Sequence, residues 1–276
     1  MRAALALCAL ALAACAADDP ALAAQRDQAL CDNGLDPRES LLACSRVIEA
    51  ESSTSVQRTT AMVRRGETHM LTGNYVRAIA DFGRALRLQP SNTDALIQRG
   101  AAHFERGAFE AAGRDFDAVL AIAPAHADAL QWRASAAEKI ESAFVVQLAN
   151  LDARIAAKPG DATLLNNRCW LRVTRGRDLD LALADCNESL RLEPANKHTL
   201  DSRGLVHYMR GDFEAALADY EAALAIEAGR GHYLYGRGLA LQALGRLADA
   251  AAAFAAAEAA EPGVGALYQS YGAAPV

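Results

Sequence analysis

Small residues recur along this chain at Gly66, Gly100, Ala134, Cys169, Gly204 and Gly238, at intervals of 34, 34, 35, 35 and 34. A second set keeps the same interval: Pro90, Pro124, Pro159, Pro194 and Pro262, with Ala228 standing where a sixth proline would fall. Two independent marks on one period define a repeat. A period near this length holds a helix, a turn, a second helix and a turn, a unit that cannot bury its apolar face alone and must stack on its neighbours. Stacked hairpins form a groove, and a groove is a surface for binding a partner. Length therefore counts repeats here rather than domains.

Composition supports helices. The apolar fraction of 52% is rich in alanine, the strongest helix former, which suits closely packed helices better than a bulky central core. The net charge is -6 and no block of Lys and Arg occurs, so nothing in the sequence attracts a nucleic-acid backbone. Residues 1–16 carry one Arg followed by an apolar run from Ala3 to Ala14, too short for a permanent membrane span and typical of an export signal. Two processing routes stay open within residues 1–23. Leu12-Ala13-Ala14-Cys15 is similar to a bacterial lipobox, with Cys15 as the lipidated residue, and Ala21-Leu22-Ala23 offers an ordinary cleavage site. Either route predicts an exported, periplasmic protein, with a lipid on Cys15 as its anchor to the outer membrane if the first is taken. Cys8 leaves with the signal, and Cys31, Cys44, Cys169 and Cys186 remain, an even number that outside the cytosol predicts disulfides.

Counted from the first helix of a unit, the shared pattern has small residues at positions 8, 20 and 27, aromatics at 17 and 24, glycine at 15 and proline at 32. The first unit reads Arg65-Gly66, Gly73, Tyr75, Ala78, Phe82, Ala85, Leu86, Pro90, and the second Arg99-Gly100, Gly107, Phe109, Ala112, Phe116, Val119, Leu120, Pro124. The fifth carries Arg203-Gly204, Gly211, Phe213, Ala216, Tyr220, Ala223 and Leu224. Small residues let two antiparallel helices approach, aromatics fill the gaps, glycine makes the turn and proline ends the second helix. This pattern resembles the tetratricopeptide repeat and the exported bacterial proteins and lipoproteins that carry it. The resemblance implies an all-α, right-handed superhelical solenoid of antiparallel helix pairs. Six units follow at 59–92, 93–126, 127–161, 162–196, 197–230 and 231–264. Asn92, Asp161 and Asn196 stand where a helix N-cap is needed. Residues 24–58 read as a degenerate helical unit with a helix starting at Asp36-Pro37 and a linker at 51–57, and 265–276 as a tail in which Tyr268 and Tyr271 form a partial cap over the last helix or leave a free end able to stack.

The third unit departs from the pattern. Ser142 replaces the turn glycine, and Gln147 and Arg154 occupy small-residue positions, which predicts a splayed helix pair and a soft joint in the array.

In an antiparallel pair turning near position 16, positions 8 and 24 lie level with each other, so Cys169 and Cys186 face one another and predict a disulfide. Cys31 and Cys44 are the second candidate pair. Arg65, Arg99, Arg168 and Arg203 face Asp81, Asp115, Asp185 and Asp219 by the same geometry, which reads as a ladder of structural ion pairs. His69, His103 and His207 also repeat, one per layer, too far apart to converge on a metal; no metal and no cofactor is expected.

The resemblance implies that first helices line the concave face. There they would present Met70, Leu71, Ile97, Phe104, Trp132, Trp170, Leu205, Tyr208, Met209, Tyr235 and Leu239, a set of apolar anchors for a partner segment. The carboxylate clamp of some family members is not reproduced, since Asn166 and Asn167 lack cations in adjacent units and only Arg64 and Lys139 are on offer. No phosphate loop, HExxH, GxSxG or paired-cysteine motif is present. The sequence thus predicts a non-enzymatic adaptor of the cell envelope that holds another protein or peptide segment. An enzyme or thiol-active protein, and a purely structural solenoid that self-associates through its alanine-rich end, are the alternatives.

Overall fold

The computed structural model describes residues 19–275, and those residues hold fourteen helices and no strand. The expected export signal as far as Asp18, with the candidate lipid site Cys15, lies outside the described residues. The chain divides into two compact units, one ending at Ser142 and one starting at Ala143.

In the first unit, α1 (Pro20–Asn33) and α2 (Pro37–Glu49) form a hairpin. Each starts on a proline, whose missing N–H costs nothing at a helix start, and each is capped by the aspartate before it, Asp19 and Asp36. The Cys31–Cys44 disulfide joins them with Cα atoms 4.6 Å apart. Ala21 to Ala23 therefore sit in the first turns of a helix, and the expected linker is shorter than 51–57 because Thr54 closes a capping box with Gln57 and starts α3 (Ser55–Leu71). α3 pairs with α4 (Tyr75–Leu88), and α5 (Thr93–Glu105) pairs with α6 (Phe109–Ile122). Left-handed glycines make both turns, Gly73 at φ 71° and Gly107 at φ 75°. Phe82 and Phe116 are fully buried against the small residues opposite them, each worth about 2–3 kcal/mol of burial.

α7 (Ala127–Ala157) corrects the expectation for the third repeat. Residues 127–161 form no hairpin, splayed or otherwise, but one continuous helix. Ser142 keeps a negative φ where the neighbouring repeats turn on glycine, so the chain runs on in the helix. The complete hairpins also show why folding back would fail. Their two small positions in the second helix, Ala78 and Ala85 or Ala182 and Ser189, are 0% exposed against the first helix. Gln147 and Arg154 hold those positions here and remain exposed. Burying them would strand an amide and a guanidinium.

The second unit continues with α8 (Ala162–Val173) and α9 (Leu179–Leu192), α10 (Lys197–Arg210) and α11 (Phe213–Ile226), α12 (Gly231–Ala243) and α13 (Leu247–Ala260), and then the short α14 (Val264–Ser270). Asp161 and Asn196 cap α8 and α10. Cys169 and Cys186 are bonded across the α8–α9 pair, Cα atoms 5.6 Å apart, in the place that glycine and an aromatic fill elsewhere. One core cluster runs from Cys169 and Val173 through Leu205, Tyr220 and Leu239 to Val264 and Tyr268. α14 is thus part of this core.

Candidate functional site

The helices α3, α5, α7, α8, α10 and α12 carry the predicted anchors, and the structure treats them unequally. In the first unit Met70 and Ile97 are half-buried against the core, and Leu71 is 85% exposed. Phe104 meets Phe109 and Trp132 edge-on at 5.1 Å each, and Trp132 stacks on Phe116 at 6.1 Å. Phe104, Phe109 and Trp132 are half-buried and engage one another or the fully buried Phe116.

In the second unit four anchors need correction. Leu205, Tyr208, Tyr235 and Leu239 are buried, not open to a partner. Leu205 and Leu239 belong to the core cluster between the helices, and Tyr208 and Tyr235 are met by the C-terminal segment, which reaches the first helices as well as the last one: Tyr268 lies 5.0 Å from Tyr235 and 4.7 Å from His232, and Tyr208 Oη donates to the Ala274 carbonyl at 3.0 Å. Met209 packs at the edge of the same cluster.

Trp170 stays half-buried and is flanked on two sides. His232 and Tyr271 cover it at 5.5 and 5.4 Å. It also lines a cleft of about 590 Å³ between α7 and α8. Asn167, Trp170, Leu171 and Thr174 come from one face of α8, spaced i, i+3, i+4 and i+7, and Val146, Gln147, Asn150, Leu151 and Arg154 from one face of α7. Gln147, Leu151 and Arg154 are the positions that in a complete repeat would close against the pair's own first helix. Because α7 does not fold back, Gln147 and Arg154 meet solvent on either side of the buried Leu151, and the residues that prevent the hairpin help to build the cleft. Val146, Leu171 and Trp170 offer apolar surface; Gln147, Asn150 and Asn167 offer amides that can both donate to and accept from a peptide backbone. Arg154 adds a guanidinium suited to a carboxylate.

The charged residues hold the scaffold. Asp81 accepts two bonds from Arg65 at 2.7 and 2.8 Å, and Asp115 from Arg99 and Asp219 from Arg203 are bidentate in the same way. Asp185 takes both Arg168 and Arg172, the second a partner that the repeat pattern does not signal. The bond to Asp185 raises the Arg168 pKa still further above its ordinary value. Burial lowers the pKa of His69 and of His103. His69 and His207 each stand 3.9 Å from the aspartate of their own repeat, and among the described residues no group of three or more His, Cys, Asp or Glu is placed to share a metal ion. No helix of the described residues is long and apolar enough to cross a membrane.

Paired helices with small-residue contacts, left-handed turn glycines and a repeated internal ion pair define a protein of stacked helical hairpins. Residues 63–127 and 201–264 match the tetratricopeptide repeat family. The chain is a tetratricopeptide repeat protein. No curated protein matches it significantly. Among solved structures it is similar to a tetratricopeptide repeat protein from Parabacteroides merdae, at 18% identity over 90% of this chain and 97% of that one with a TM-score of 0.42. It is also similar to a thermophilic repeat protein of Thermus thermophilus, at 21% identity over 77% and 98% with a TM-score of 0.30, and to MamA, at 18% over 71% and 94% with a TM-score of 0.29.

The sequence reading missed three features of the site. Val264, Tyr268 and Tyr271 recur at i, i+4 and i+7, a helical face that the periodicity rule would have found. His232 and Asp201, 2.9 Å apart, come from different repeats and leave no local signal. The cleft depends on the missing hairpin.

Proposed function

We propose that the chain is a non-enzymatic interaction scaffold that binds an extended or helical segment of a partner protein, with the α7–α8 cleft as its principal seat. Tetratricopeptide repeats support the coarser statement, a protein-interaction scaffold. The finer one rests on a single observation, the cleft of about 590 Å³ that places Trp170 beside a row of side-chain amides. An apolar anchor among convergent polar groups is the arrangement that takes a side chain and fixes the backbone beside it. Met70, Leu71, Ile97, Phe104 and Trp132 form a second, shallower contact surface on the first unit. The two disulfides support an oxidising compartment, and a periplasmic protein, carried on a lipid if Cys15 is the processing site, is the reading that agrees with them and with the apolar run at residues 3–14.

Affinity capture from an envelope extract tests the reading. The wild-type chain retains a specific polypeptide that Trp170→Ala and Val146→Asp each reduce at least about ten-fold, the loss of one well-packed anchor. Equal retention by all three chains would refute the cleft as the binding seat.

A further inference from the structure

The C-terminal segment is itself a ligand of the first-helix face. Gly263, at φ 91°, turns the chain out of α13, and Glu258 accepts from the N–H groups of Gly263 and Gly265 at 2.8 and 2.9 Å to start α14. Val264, Tyr268 and Tyr271 then fall on one face of the helix. Val264 and Tyr268 are 1% and 0% exposed, and Tyr271 meets Trp170 edge-on. The Tyr268 phenol donates to the His232 carbonyl at 2.9 Å and lies 3.4 Å from Asp201 Oδ1, while Asp201 Oδ2 stands 2.9 Å from His232 Nδ1.

This is the helix-in-groove mode of recognition carried out within one chain. The rings supply contact area, and the phenol supplies selectivity, because a helix without it takes one donor from the buried Asp201, which keeps only His232, and the second bond from the His232 carbonyl. The segment is tethered at one end only, through Gly263. Burial of Val264, Tyr268 and Ala273 and half-burial of Tyr271 are set against the ordering of about a dozen residues, so this part of the core is the one that can open without unfolding the hairpins.

We infer that residues 263–275 hold the place of a partner's helix: the face of α8, α10 and α12 receives, in exchange for them, an amphipathic helix of another protein that presents an apolar residue and two tyrosines at i, i+4 and i+7. The middle tyrosine delivers its phenol to the His232 carbonyl and Asp201. The inference rests on the reading of the chain as a binder of polypeptide segments and gives the chemistry of one such segment. The tethered helix competes at a high effective concentration, so the partner binds weakly until the tail is loosened and more tightly afterwards.

The test uses the full chain and a synthetic peptide of residues 262–275, followed by calorimetry. Tyr268→Ala/Tyr271→Ala weakens the tethered segment and is expected to bind the peptide at least about ten-fold more tightly than the wild-type chain, one to one. A peptide with Phe at the middle tyrosine is expected to bind at least about ten-fold more weakly, the discrimination of a site built around a hydroxyl. Should the double variant fail to fold, hydrogen exchange on the wild-type chain decides: amides of 263–275 exchange at least about ten-fold faster than those of α12 by local opening. No peptide binding by a folded variant, equal affinity for the Tyr and Phe peptides, or tail amides that exchange only together with α12 would each overturn the inference. So would wild-type dimers formed by swapping tails, since the occupant would then be a second copy. Capture that still depends on Val146 alongside any of these results would reject this inference and leave the α7–α8 cleft standing.

Discussion

A Cβ atom placed on Gly66 would stand 2.6 Å from Cε1 of Phe82, and the same approach recurs at 2.7 Å between Gly100 and Phe116. The first helix of each hairpin is thus a socket for the ring of the second. Gly100→Ala pushes a fully buried ring out of place, at a cost of about 1–3 kcal/mol that exceeds the gain of up to about 1 kcal/mol from better helix propensity. Gly113, in α6, has open space around its Cβ position, so Gly113→Ala gains that propensity alone. Urea denaturation should move the two midpoints in opposite directions.

The second prediction concerns the covalent link that replaces this socket in the fourth repeat. Cys169 and Cys186 are 17 residues apart, and a loop of that length constrains the unfolded chain by about 3 kcal/mol. The double variant Cys169→Ala/Cys186→Ala should lose about 2–4 kcal/mol, and added reductant should destabilise the wild-type chain but have less effect on the variant. Thermal unfolding with and without reductant checks it.

Much of this was legible in the sequence because a repeat presents each contact several times. Gly66, Phe82 and the Arg65–Asp81 pair are copied nearly unchanged, so their spacing gives the hairpin, its turn and its internal ion pair together. What was not legible depends on one copy only. Ser142 could make a poor turn or none, and the choice follows from the cost of burying Gln147 and Arg154, which no local pattern reports. Tyr235 and Tyr208 occupy positions that line a groove by repeat register, yet they are buried because Tyr268 and Ala274 of the C-terminal segment return onto them. Register tells which face a residue is on and says nothing of what lies over it.

Asp185 gives a third test. It is 5% exposed and accepts bonds from both Arg168 and Arg172, so Asp185→Asn takes the counter-ion from the buried Arg172, while Arg168 keeps its pair with Asp152. A loss of about 3–5 kcal/mol is expected in chemical denaturation. Asp117→Asn breaks the Arg133 pair, whose side chains are both more than half exposed, and should move stability by no more than about 0.5 kcal/mol.

The histidines of the first unit predict an acid limb. Burial lowers the pKa of His69 and His103, against the opposing pull of Asp81 and Asp115. The unfolded chain therefore takes up protons near about pH 6.5 before the folded chain does. Stability from this source is complete above that pH, falls as the pH drops below it, and levels off once the folded imidazoles protonate too. His69→Gln/His103→Gln should flatten the decline in melting temperature between about pH 7 and pH 5.

The central claim, that the cleft between α7 and α8 seats a polypeptide, is tested most directly by a photo-crosslinking residue at Val146 in the cells that make the protein. One discrete crosslinked polypeptide is predicted, lost in the Trp170→Ala background and absent when the probe is moved to exposed Arg87 on α4. No adduct at Val146, or the same adducts from both positions, would contradict the account.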